Sequence, residues 1–100
     1  MAPNLPTTGE VKVPCAEEDK LTTVAAITSA FDDHNSSTID GVRVRFEKDG
    51  QQSGWYLARK SNTEAILVMR VEANDQETLD EILTMIDERV SPIIDISKLL

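Results

Sequence analysis

From Val42 to Phe46 the chain alternates apolar and polar residues, with Val42, Val44 and Phe46 on one side and Arg43 and Arg45 on the other. That period of two predicts a half-buried strand. Trp55 to Ala58 is a second apolar run, and Lys48 to Gly54 between them carries an Asp49-Gly50 turn signal, so the two runs are expected to pair as an antiparallel hairpin. Ile66 to Ala73 is apolar on both faces for most of its length, which suits an interior strand. Val11-Lys12-Val13 alternates briefly before Pro14 stops it, a short strand.

Two stretches carry the longer helical period. From Glu17 to about Asp32, residues Leu21, Val24, Ala25, Ile27, Thr28 and Phe31 fall on one stripe, and Glu17, Glu18 and Asp19 occupy the first turn, where the helix dipole favours acids. Turn formers from Asp32 to Ser37 end it. The second helix is expected to be capped by Asn74, with Glu77 completing a capping box. Its buried stripe is Leu79, Ile82, Leu83, Ile86 and Val90, and Pro92 marks its end. The order β-α-β-β-β-α predicts an α+β fold, an antiparallel-rich four-stranded sheet with two helices packed on one face. Residues 1–9, with Pro3, Pro6 and Thr7-Thr8-Gly9, have the composition of a linker; 10–92 form the domain and 93–100 a C-terminal tail. A linker at the start fits a segment of a longer protein.

Composition narrows the function classes. One hundred residues make one small domain, low for an enzyme that must enclose a substrate, and the hydrophobic content of 40% with few aromatics points to an aliphatic core. The net charge of −8 argues against nucleic-acid binding, which rests on clustered Lys and Arg. There is neither an apolar run of the roughly 20 residues a membrane span needs nor a secretory signal, so the expected location is the cytoplasm, with no membrane partner. Cys15 is the only cysteine and His34 the only histidine. A packed structural cysteine and a solvated turn histidine are the expected readings, with no metal site between them.

Charge is unevenly spread: Val42 to Lys60 carries Arg43, Arg45, Lys48, Arg59 and Lys60 against two acids, whereas Asp75 to Arg89 carries six acids against one cation. The acidic block reads as a solvated helix face. The basic block ends in Arg59-Lys60-Ser61-Asn62-Thr63-Glu64, a polar turn between two apolar runs. One guanidinium fork, an ammonium, two hydroxyls, a side-chain amide and several backbone N–H groups form a donor set suited to phosphate or carboxylate. A plain strand-to-strand turn with Ser, Asn and Thr as turn formers explains the same composition, but turn geometry needs neither adjacent cation.

Those residues resemble the R-x-S-N-T-E phosphate-binding loop in the last domain of the α-D-phosphohexomutases, the phosphomannomutase/phosphoglucomutase family. The resemblance extends, in fixed order, through Ile39-Asp40-Gly41-Val42-Arg43-Val44, Gly54-Trp55, the run Ile66 to Ala73 and the acidic closing helix, roughly Val11 to Val90. Lys60 stands where the family often has Pro or Ala, and Ala65 where Pro is common; neither change removes a donor. The resemblance implies the fold of the family's C-terminal domain, which is like the TATA-box-binding protein. It also implies a parent enzyme that moves a phosphoryl group between the 1- and 6-positions of a hexose.

In such a parent the phosphoserine, an Asp-rich loop holding Mg2+ and a sugar-reading loop lie in other domains, and none of those motifs occurs here. This chain would therefore carry no catalytic residue, metal or cofactor of its own, and would be inactive in isolation. It would supply the grip on the non-reacting phosphate: Arg59 as a fork, Ser61 and Thr63 through hydroxyls, Asn62 through its amide and backbone N–H, with Lys60 and Glu64 as further candidates. Its partners would be the hexose phosphate and the remaining domains. Two other readings stand beside this one: a stand-alone anion-binding module without catalysis, and a subunit-interface domain whose loop is only a turn.

Overall fold

The computed structural model describes residues 5–37 and 41–100; Ile39 and Asp40, which contribute to the family resemblance, and the first four residues lie outside them. The four expected strands are present as β1 (Val11–Pro14), β3 (Gly41–Lys48), β4 (Gln51–Lys60) and β5 (Ile66–Ala73). A further strand, β2 (Asn35–Ser37), makes the sheet five-stranded, in the order β1-β5-β4-β3-β2 with every neighbouring pair antiparallel. The expected α+β fold, an antiparallel sheet with both helices on one face, is present, and among the described residues the short edge strand β2 is added to the four expected strands. Asn35-Ser36-Ser37 offers no apolar alternation to read, and it becomes a strand only because β3 presents a free edge to its backbone.

The hairpin loop is shorter than Lys48 to Gly54 suggests, because the strands run on to Lys48 and Gln51. Only Asp49 and Gly50 remain as the turn, with φ of 56° and 78°. Two successive positive φ values are what a two-residue loop matched to strand twist requires, and Asp-Gly tolerates them. Phe46 pairs with Gly54 and Glu47 with Gln52, so Ser53 is an extra residue bulged out of β4.

Helices α1 (Lys20–Ala30), preceded by a short 3-10 turn over Glu17–Asp19, and α2 (Gln76–Val90) both pack on the same face of the sheet. That face supplies Val13, Val42, Val44, Phe46, Tyr56, Leu67, Met69 and Val71 to the core, all buried. Helix α2 meets it with Leu79, Ile82, Ile86 and Val90, and the segment beyond α2 adds Ile96 and Leu99. Tyr56 is fully buried on the central strand, its hydroxyl aimed at the Met69 sulfur at 3.3 Å, and burial pushes its phenol well above the usual range.

Two helix details differ from the sequence reading. Asp75, not Asn74, caps α2, accepting from the Thr78 N–H at 2.7 Å, because the Asn74 amide is drawn away to the Gln52 carbonyl at 2.9 Å. In α1 the buried face is turned by one position: Leu21 is 69% exposed and Ala25 is exposed, whereas Lys20 is only 2% exposed. The positions 20, 24, 27 and 31 follow the helical repeat through Val24, Ile27 and Phe31, so the stripe contains the lysine.

The helices are clasped at one end. Arg89 of α2 donates to both carboxylate oxygens of Asp33, at 2.7 and 3.2 Å, and to the Ala30 carbonyl at the end of α1, and its guanidinium lies 5.2 Å from the Phe31 ring centre. Arg89 and then His34 hold the Asp33 carboxyl far below the usual carboxylate range. At the chain start, Pro6 and Thr8 exchange backbone hydrogen bonds with Ala73 and Val71, continuing along β5 past the end of β1. No helix among the described residues is long and apolar enough to cross a membrane.

Candidate anion-binding site

The sheet face away from the helices is the basic one. Cross-strand register stacks it in rows: Arg45, Trp55 and Glu72; then Arg43, Leu57 and Arg70; then Gly41, Arg59, Val68 and Lys12. Five of the ten cations of an acidic chain therefore stand on one open face. Most of them are engaged with each other's surroundings. Arg43 and Arg70, one from each flanking strand, lie 4.9 and 5.8 Å from the Trp55 ring centre, a cation–π arrangement. The Trp55 indole N–H donates to Glu72 at 3.2 Å.

Arg59 differs from Arg43 and Arg70. It is exposed at the end of β4, and its side chain, like those of Arg45 and Lys60, makes no ion pair or hydrogen bond among the described residues. Its partner across β3 is Gly41, where any Cβ would collide with the Ala58 carbonyl and with Arg59 Cα and Cβ, the last two at 2.6 and 2.8 Å. The bare glycine keeps the two strands close beside the guanidinium. Lys60 pairs with the core residue Leu67, so alternation sends it to the helix side, away from Arg59. Both cations belong to the strand, and the loop proper is Ser61 to Ala65, between the ends of β4 and β5.

The loop is held by its own hydrogen bonds. The Ser61 N–H donates to the Ile66 carbonyl at 3.2 Å, closing the base. The Ser61 hydroxyl oxygen accepts from the Thr63 and Glu64 N–H groups at 3.3 and 3.2 Å, a turn built on a serine side chain. Asn62 and Thr63 are exposed at the tip. The Glu64 carboxylate faces Lys12 at 3.4 Å, an exposed pair, and the Ala65 carbonyl accepts from the Cys15 N–H at 3.0 Å. Arg59, Ser61, Asn62 and Thr63 thus lie together at one end of the sheet, while Lys60 points elsewhere and Glu64 sets an acid at the loop's β1 side.

One residue of this region escaped sequence reasoning. The buried Lys20 ammonium donates to the Ser61 carbonyl at 2.6 Å and the Glu64 carbonyl at 2.5 Å, and it contacts Glu17 at 2.7 Å. Its only signal in the sequence is a lysine falling on the apolar stripe of α1.

The remaining chemically suggestive residues lie away from the loop. Cys15 is buried, its thiol 3.8 Å from the Thr23 hydroxyl. His34 meets the Phe31 ring edge-on and the Phe46 ring at a tilt, and bonds Asp33 at 3.0 Å, beside an open cleft of about 350 Å³ that Arg45 and Glu47 also line. Among the described residues no group of three or more His, Cys, Asp or Glu could hold a metal ion.

Comparison with known proteins gives these residues a context. The family model described as "Phosphoglucomutase/phosphomannomutase, C-terminal domain" matches residues 10–89. The chain is 33% identical over 88 residues to a phosphomannomutase/phosphoglucomutase of Pseudomonas aeruginosa, a match that covers 86% of this chain and 18% of the relative. It is 35% identical over 75 residues to a phosphoglucosamine mutase of Methanococcus vannielii, covering 72% of this chain and 16% of that protein. Among solved structures, a phosphoglucomutase/phosphomannomutase family protein of Burkholderia thailandensis superposes with a TM-score of 0.68 at 26% identity, over 91% of this chain and 18% of the other. The chain therefore spans less than a fifth of the length of each.

Proposed function

The chain belongs to the phosphoglucomutase/phosphomannomutase family as its C-terminal domain, and on that premise we propose that it grips the non-reacting phosphate of a hexose phosphate while the sugar's other end meets a phosphoserine elsewhere in the parent enzyme. The observation that carries the reading is the guanidinium of Arg59, exposed and without a partner among the described residues, next to the hydroxyl- and amide-bearing loop Ser61 to Thr63. Arg43, Arg70 and Arg89, by contrast, are committed to Trp55, Phe31 or Asp33. A planar fork suits two phosphate oxygens at once, and the Thr63 hydroxyl and Asn62 amide add donors from a second direction.

Such a grip contributes orientation rather than chemistry. A phosphate looks nearly the same whichever carbon bears it, so one loop serves a sugar presented in either sense for transfer between the 1- and 6-positions. Magnesium is assigned to the remaining domains of the parent; the described residues offer no donor cluster for it, and no step given to them runs through a metal. On this division of labour the chain alone has no mutase activity.

Titrating inorganic phosphate and a hexose 6-phosphate into the labelled chain tests the site. One phosphate held by a few exposed donors should bind with a Kd on the order of millimolar. The amides of Ser61, Asn62 and Thr63 should shift first. Shifts centred on His34 would refute the site, and turnover of a hexose 1-phosphate by this chain with magnesium would refute the division of labour.

A further inference from the structure

We propose that Lys20 is a positioning residue for the anion loop, turning the backbone N–H of Asn62 and of Ala65 toward the ligand by holding the carbonyls of their peptide units from behind. The proposal rests on the phosphate-binding reading above and deepens it. Lys20 opens α1, where a cation faces the unfavourable positive end of the helix dipole, and it is 2% exposed, where an ammonium survives only if hydrogen-bonded. Neither helix formation nor core packing asks for lysine there. An ammonium has three N–H donors, and three acceptors meet it: the Ser61 carbonyl at 2.6 Å, the Glu64 carbonyl at 2.5 Å and the Glu17 carboxylate at 2.7 Å.

The consequence follows from peptide geometry. No cis peptide occurs among the described residues, and in a trans unit C=O and the next N–H point in opposite directions. Drawing the Ser61 oxygen to Lys20 on the helix side sends the Asn62 N–H the other way; drawing the Glu64 oxygen inward does the same for Ala65. Away from the helices is the face on which Arg59 stands. The other loop amides are already committed, Ser61 to Ile66 and both Thr63 and Glu64 to the Ser61 hydroxyl. The two amides that Lys20 turns outward are thus the two that the loop leaves for an anion. The charge of the ammonium is offset by its Glu17 partner at 2.7 Å, so its effect on the loop is exerted through the two carbonyls it holds.

The test uses the wild-type chain, Lys20→Met and Lys20→Arg, with inorganic phosphate as probe. The wild-type Lys20 ammonium should give a proton–nitrogen correlation protected from exchange, with through-space contacts to the loop. Lys20→Met, measured well below its melting temperature, should bind phosphate about tenfold more weakly, the value of one hydrogen bond to a charged group. Its backbone order should fall at residues 61–65 and nowhere else, and Lys20→Arg should restore part of both. A purely structural lysine would lower the melting temperature yet leave the phosphate affinity of the folded chain unchanged, and that result overturns the proposal. An ammonium exchanging as fast as a free lysine overturns it as well, whether or not Lys20→Met folds. If wild-type phosphate shifts fall away from the loop, the functional reading fails by itself, and ammonium protection with loop order still decides the positioning role.

Discussion

Replacing Arg59 by lysine tests whether the anion is recognised by geometry or merely attracted by charge. The substitution keeps the positive charge and the position on the open face, next to Gly41 and Val68, but exchanges a planar fork for a point charge. A phosphate held by two parallel N–H donors would then keep one. Losing a hydrogen bond to a charged group costs roughly 1.5–3 kcal/mol, and Arg59 is exposed, so the lower end applies: about tenfold in Kd. A millimolar site should weaken to the order of 10 mM. Lys60→Ala is the control. Lys60 sits opposite Leu67 on the helix side, so it contributes only a screened long-range charge, and its loss should change Kd by no more than about twofold at physiological ionic strength. Both numbers come from amide-shift titrations with phosphate at constant ionic strength. In the full-length enzyme Arg59→Lys should lower kcat/KM by about tenfold to hundredfold. Equal losses at the two positions, or a larger one for Lys60→Ala, would show that net charge rather than a fork holds the anion.

Three further outcomes are expected. Gly41→Ala places a methyl against the Arg59 backbone, which has no rotamer to yield, so overpacking of about 1–3 kcal/mol should lower Tm by on the order of 5–20 °C in a thermal melt; a Tm within a degree of wild type would refute the close approach of β3 to β4. Asp33, Asp75 and Asp95 are held below the usual carboxylate range, by Arg89, by the Thr78 N–H and by the Ser97 N–H respectively. Between the lowered native values and the ordinary value of about 3.9 the unfolded chain binds more protons than the native one, so their stabilisation is complete above that pH and is lost as pH falls below it. Tm should hold from pH 7 to 5 and fall below about pH 4, and Asp33→Asn should flatten that fall; an unchanged slope would place the acid sensitivity elsewhere. Ile86→Ala, which empties a fully buried position of α2, should cost about 2–5 kcal/mol in urea unfolding, and a loss below 1 kcal/mol would contradict its burial.

How far the sequence could be read depended on whether apolar pattern and physical role coincided. They coincide in β3, β5 and α2, where Val42, Val44 and Phe46, or Leu79, Ile82 and Ile86, are both the periodic residues and the buried ones. They part at Lys20. A hydropathy reading skips the lysine and takes the neighbouring Leu21 instead, which turns the helix by one position, because the partners that make burial tolerable lie 41 and 44 residues away. Strand β2 is invisible for a related reason: its pairing depends on an edge that exists only once β3 has formed. The members of the candidate site were legible as a donor-rich string, since Arg59, Ser61, Asn62 and Thr63 are contiguous, but their support was not. Which cations remain unpaired is a tertiary fact, decided by Trp55 and Asp33, and so is the split of Arg59 and Lys60 between opposite faces.

The two outermost strands also govern how this sheet meets other proteins. One border is β1, four residues ending in Pro14, which has no N–H to offer; the other is β2, three residues of Asn and Ser. The long apolar strands β3, β4 and β5 are interior, and Pro6 to Thr8 cover the part of β5 that β1 leaves bare. Such borders give an incoming chain little to zip onto, so the sheet resists both edge-to-edge aggregation and domain swapping. What such a sheet leaves open to a neighbour is its faces and loops rather than a strand edge to share.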